Sequence, residues 1–342
     1  MRAEDTLDAL EPDRRAGQRL ARLEVDEHGK VVGAAPWGSP HNWGRWGPLD
    51  ERGTANFLTP ERVREAAALV RTGSVVSCAL RIAEPMPVHP SRPRVLHTHL
   101  NTGTDLLAGL IEERPWGGWY GTDDHLSFPL QSATHWDGLT HASWGGSFYN
   151  GFWVGNVGAL GGARRLSTHL LAGSLTGRGV LLDLPRHQGV ARLLPGHAIT
   201  AEQLDACAAA EEVELRSGDL LLLRTGELPW FYSLPDKAPY WSGSHPGLSI
   251  STVDWFHRHQ IAAAGIDNRT FEVTPFEPPF EVSYPLHTRL IRDLGLTIGE
   301  LWWLEDLARA CAEEARWEFL LSAAPLNVAD ASGAPACPIA VF

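Results

Sequence analysis

The chain has 342 residues, 44% of them hydrophobic and 20% charged, and a formal net charge of −12. That length and apolar content can support a buried core. The acidic balance argues against nucleic acid or an anionic membrane surface as the main partner, because phosphate binding needs clustered Lys and Arg. No stretch nears the roughly 20 consecutive apolar residues of a membrane span. Cys78, Cys207, Cys311 and Cys337 stand far apart without a C-x-x-C pair, a pattern of reduced thiols, so a cytoplasmic protein is expected.

Residues 1–35 are read as a charged N-terminal arm, whose opening stretch, 1–25, lacks the apolar core of a secretory signal and is read as mobile. The remainder, 36–342, shows no internal repeat and no low-complexity linker, so a single catalytic domain is expected. Four apolar runs read as strands: SVVSCALRI (74–82), GRGVLLDL (177–184), GDLLLLRT (218–225) and IAAAGID (261–267). Several end in a polar residue before a turn, at Asp183, Arg224 and Asp267. Helical patterns alternate with them. LTPERVREAAALVRTG carries a Thr cap and Pro in the first turn, and ITAEQLDACAAAEEV has the Thr200–Gln203 spacing of a capping box. STVDWFHRHQ and TIGELWWLEDLARACAEEARW are also read as helices. Strands alternating with helices predict an α/β or mixed architecture.

Residues 36–60 and 84–160 are rich in Gly, Pro, Trp and His, with little regular periodicity, and such loops are where binding residues gather. Within them lies QSATHWDGLTH (131–141), with Gln131, His135, Asp137 and His141 on odd-numbered positions. In an extended segment those four side chains share one face. A neutral imidazole, a carboxylate and an amide oxygen suit one divalent ion, Zn²⁺ or Mn²⁺. The competing reading is a polar loop of hydrogen-bonded histidines. Of the 14 Trp residues, Trp116, Trp136 and Trp144 lie near this stretch and are candidates to grip a planar substrate, with plain core packing the alternative.

QSATHWDGLTH resembles the H-x-G-T-H-x-D-x-P-x-H signature of the metal-dependent cyclase-like hydrolases, a family that includes bacterial kynurenine formamidase, isatin hydrolase and trans-dienelactone hydrolase. Thr134, His135, Asp137 and His141 match; Gln131, Ala133 and Leu139 depart. Segments 42–61, 177–190, 218–226 and 286–301 also resemble blocks of the family's longer branch. The resemblance implies a mixed, barrel-like β-sheet with surrounding helices, and assembly as a dimer or tetramer. It also implies a downstream His paired with a Glu about a dozen residues on, here His287 with Glu300, Glu305 being the rival choice. The implied activity is hydrolysis of an amide, lactam or lactone of a small molecule by metal-activated water. Gln131, His135 and Asp137 would hold the ion, and His141, His287 and Glu300 would take catalytic roles. Two alternatives stay open: ring closure in a polyketide-type pathway, and a non-catalytic binding protein with a decayed metal site. A Ser-His-Asp hydrolase is disfavoured, since no G-x-S-x-G elbow is present.

Overall fold

The computed structural model describes residues 20, 22–110, 120–278 and 282–342. The apolar runs become strands where both faces of a sheet are covered, as expected for a parallel arrangement. We number the nine strands of the central sheet β1 (Val75–Ser77), β2 (His135–Asp137), β3 (Thr176–Asp183), β4 (Leu220–Arg224), β5 (Ala263–Ile266), β6 (Thr297–Glu300), β7 (Glu318–Ser322), β8 (Gly333–Pro335) and β9 (Ile339–Val341). Their spatial order is β1-β9-β7-β3-β4-β5-β6-β2-β8. The four in the middle, β3 to β6, run parallel, and the remaining pairings are antiparallel. The result is a mixed α/β fold with a curled half-barrel sheet, as the resemblance implied.

Alternation along the strands divides the interior into two cores. Val180 and Leu182 of β3, with Leu221 and Leu223 of β4, face one cluster built on Phe256, Leu290 and Ile298. Leu181, Leu220 and Leu222 face the other, built on Trp136, Trp302 and Phe319. Each fully buried Leu is worth about 1.5–3 kcal/mol relative to exposure, so the parallel strands are the chief apolar anchor of the chain.

The expected capped helices form at Pro60–Ala67, where Thr59 accepts a hydrogen bond from the Arg62 backbone, and at Ala201–Ala210, with the Thr200–Gln203 capping box complete. Val253–His259 is also helical. TIGELWWLEDLARACAEEARW is not one helix. Its first four residues are strand β6, Leu301 takes a left-handed φ of 59°, and the helix begins only at Glu305. Tertiary pairing overrides local periodicity here: β6 is held by β5 on one side and β2 on the other. Toward the end of the charged N-terminal arm, Val25 pairs with Val31 across a turn, and Lys30 pairs with Phe152. Residues 1–19 and 21 lie outside the described residues. The four cysteines are free thiols. Among the described residues no helix is long and apolar enough to cross a membrane.

Two predictions arise from these elements. A Cβ on Gly299 would lie 2.8 Å from the His135 carbonyl and 2.5 Å from Trp302 Nε1. Gly299→Ala is therefore expected to lower stability by about 1–3 kcal/mol, read from the urea midpoint. Burial pushes the Glu211 carboxyl up to about 8, although the Asp183 backbone N–H donates to it. The native state thus keeps a proton that the unfolded chain releases near the ordinary carboxylate pKa. Stability must fall as pH rises through that window and level off above about 8. Glu211→Gln should flatten the slope between about pH 5 and 8; an unchanged slope in urea titrations would sink this assignment.

Candidate functional site

Strand β2 is short, but its alternation sorts the motif. His135 and Asp137 turn to one face and Trp136 to the other. Thr134 holds the entry, donating to the Leu301 carbonyl at 2.6 Å while accepting from the Leu80 backbone at 2.7 Å. Gly138 follows, where a Cβ would lie 2.4 Å from Thr168 Cγ2, so the turn that returns His141 toward Asp137 leaves no room for a side chain. The antiparallel pairing of β2 with β6 sets Glu300 opposite His135.

His135, Asp137 and Glu300 bring one ligand atom each to within 4.8 Å of one another, and all three are buried. The His135 Nδ1 faces the Ala133 carbonyl at 2.7 Å. Nδ1 therefore carries a proton, and Nε2 faces the two carboxylates, 3.5 Å from Asp137 and 3.9 Å from Glu300, where a cation would meet it. Both carboxylate oxygens of Asp137 are buried without any hydrogen-bond donor. Burial raises its pKa, but His141, His135 and His287 outweigh that and hold it well below the ordinary carboxylate range. A buried, ionised carboxylate that accepts no hydrogen bond is costly unless positive charge meets it. This donor set suits a divalent metal ion.

His141 lies on the rim, with Nδ1 3.5 Å from Asp137 and its side chain 30% exposed. His287 is clamped. Its Nδ1 is 2.6 Å from Glu272 and its Nε2 3.2 Å from Glu300. Glu272 also accepts the backbone N–H groups of Leu286 and His287, while Glu300 accepts that of Phe271 at 2.9 Å. Burial alone would lower the pKa of His287, yet these two carboxylates raise it well above the ordinary value. Four of these five groups, His135, His141, His287 and Glu300, open into a cavity of about 330 Å³ alongside Gln131, Arg92, Arg269, Trp241 and Tyr284.

Of the residues expected from sequence, His135, Asp137, His141, His287 and Glu300 come together. Glu305 does not: Arg224 holds it by two hydrogen bonds of 2.8 Å. Gln131 lines the cavity and its amide nitrogen sits close to Gly333, whereas the third buried carboxylate-or-imidazole donor is Glu300. Two of the three Trp expectations, Trp136 and Trp144, need correction. Trp136 is fully buried in the second core, donates to the Ala323 carbonyl at 2.6 Å and meets Trp302 edge-on, because it occupies the opposite face of β2. Trp144 is 41% exposed and stacks on Trp37, outside the cavity lining. Trp116 lies outside the described residues. The aromatic walls are Trp241 and Tyr284, and Tyr284 packs edge-on against His287 at 5.2 Å.

Sequence reasoning missed Glu272, Arg92 and Arg269. The available signal was position: Arg269 and Glu272 follow the carboxyl end of parallel strand β5, where sites of such sheets gather. A second grouping, His97, His99 and Asp124, is exposed on a hairpin, and its carboxylate already meets His97 at 2.6 Å. It lacks the orphaned oxygens of the buried set.

A curled mixed sheet with a buried His–Asp–Glu group beside its parallel strands defines a class of α/β proteins with a candidate metal centre. The chain belongs to the family described as putative cyclase, whose model matches residues 76–273. It is similar to a solved structure described as a novel cyclase, at 39% identity over 88% of this chain and 99% of that one, with a TM-score of 0.83. The fold is shared with an isatin hydrolase bound to the product analogue thioisatinate, at 20% identity over 81% and 94% of the two chains and a TM-score of 0.54. Isatin hydrolase A from Ralstonia solanacearum shares it at 16% identity over 83% and 98%, with a TM-score of 0.56. No curated protein matches the sequence.

An ion that binds only the native site raises stability by about 2.7 kcal/mol at a free concentration of about 100 times its Kd. Zn²⁺ or Mn²⁺ is therefore expected to raise the melting temperature of the parent, and Asp137→Asn to remove that gain. A parent unmoved by either ion would overturn the assignment.

Proposed function

We propose that the protein is a metal-dependent hydrolase that opens or cleaves an amide, lactam or lactone of a small, cyclic or aromatic substrate. The observation that carries this reading is the Asp137 carboxylate, ionised and buried with no hydrogen-bond donor beside Nε2 of His135. His135, Asp137 and Glu300 would hold Zn²⁺ or Mn²⁺, with Gln131 on the same cavity wall. When bound, such an ion supplies Lewis acidity, lowering the pKa of water from about 16 toward 7 and polarising a carbonyl.

The chain's own residues divide the remaining work. His141 reaches solvent and is not clamped, so it can take a proton from water and return it to the leaving nitrogen or oxygen. His287 orients Glu300 through Nε2 while Glu272 fixes its ring. Trp241 and Tyr284 provide flat apolar walls. Isatin hydrolases share the fold, which supports a cyclic amide as substrate. The family's description as a putative cyclase favours a second reading, ring closure at the same site.

Mass spectrometry of untagged protein is expected to find about one equivalent of Zn or Mn, lost in folded His135→Ala and Asp137→Ala. A panel of isatins, formanilides and lactones should reveal hydrolysis that chelation abolishes. His141→Ala should lower kcat about 10²–10⁴-fold with little change in KM. Products that gain water support hydrolysis, and products with a new ring support the second reading. Metal-free, inactive protein after reconstitution would overturn both.

A further inference from the structure

The cavity carries positive charge that its acidic residues do not neutralise. Arg92 and Arg269 both line it and are half-buried. Among the described residues each spends only part of its donor fork on protein partners. Arg92 Nη1 donates to the Gln131 backbone carbonyl, and Arg269 Nε lies 2.8 Å from His245 Nε2, a nitrogen that also faces the Tyr240 carbonyl at 2.7 Å. His245 is itself fixed, with Nδ1 2.7 Å from the buried Glu227, which also pairs with Arg192 at 2.7 Å. Arg269 thus sits on a braced chain, its guanidinium 5.6 Å from the centre of the Trp241 ring. Among the described residues, the cavity's carboxylates pair with His135, His141 and His287, and neither guanidinium joins them.

Asp137 and Glu300 belong with His135 to the candidate ion's donor set, and Glu272 clamps His287. Among the described residues two guanidiniums remain with N–H groups to spare, both lining the cavity, with Arg269 beside Trp241. A planar guanidinium fork matches a carboxylate in shape and charge. We propose that the molecule accepted here is an aromatic or cyclic carboxylic acid, whose carboxylate is bound by Arg269 and Arg92 while its ring lies against Trp241. This rests on the hydrolase reading only for the carboxylate's being part of a substrate; the anion site stands on the two arginines.

The test is calorimetric titration of metal-loaded protein with benzoate and with benzamide, which share a ring and differ in charge. Benzoate is expected to bind at least about tenfold tighter, with affinity that falls as salt rises. Arg269→Met and Arg92→Met should each weaken benzoate roughly 10- to 100-fold, the worth of a charge-assisted hydrogen bond, while metal content stays at the parent level. Arg269→Lys, which keeps the charge and loses the fork, should recover part of the affinity and guards against a folding artefact. Equal binding of the two probes, binding of neither, or full benzoate affinity in both Met variants overturns the proposal; the last would place the carboxylate on the ion. The hydrolase reading fails separately. Benzoate held through Arg269 by a protein that hydrolyses nothing keeps the anion site and removes the reaction. Hydrolysis of neutral lactones with no preference for benzoate does the reverse.

Discussion

The site depends on one antiparallel register, in which Glu300 of β6 lies opposite His135 of β2. A slip of one residue would carry His135 and Asp137 into the apolar core and turn Trp136 into the cavity, because side chains alternate strictly along a strand. Several contacts make the slip costly. Trp136 is wholly buried against Trp302 and donates to the Ala323 carbonyl. Gly299, directly across from Trp136, has no side chain to obstruct it. Thr134 ties the strand's start to Leu301. Core packing on one face of β2 therefore sets the chemistry on the other.

From that register follows a continuous run of alternating charge types: Glu272, His287, Glu300, His135, Asp137 and His141, each within 4 Å of the next. Such alternation sets each buried carboxylate against an imidazole. It also grades them. Glu272 and Glu300 accept backbone N–H groups, whereas Asp137 accepts none. The group left without a donor is the one next to His135 Nε2, and that asymmetry distinguishes a cation site from an ordinary buried ion-pair network.

Much of the fold was legible because it rests on local rules. Continuous apolar runs at 177–184 and 218–225 mark strands buried on both faces, and the Thr200–Gln203 cap marks a helix start. The spacing of His135 and Asp137 marks two groups on one face of a strand. What failed were the inferences that needed partners. TIGELWW carries helical periodicity, but two neighbouring strands claimed it. Trp136 and Trp144 stand near the motif in sequence, yet one fills the core and the other stacks on Trp37. Glu305 and Glu300 are alike by spacing; Arg224 takes the former.

By itself, then, the sequence determined the type of those strands and helices that rest on local pattern, the family and the residues that carry imidazole and carboxylate groups. These are properties of periodicity and of donor chemistry, and both survive reading in one dimension. The tertiary structure alone decided which carboxylate completes the buried group, which aromatics form the walls, and that two arginines from distant segments share the cavity. Those outcomes depend on strand order and on which partner each side chain meets. Glu272, His287 and Glu300 are joined to His135 only because β6 crosses beside β2.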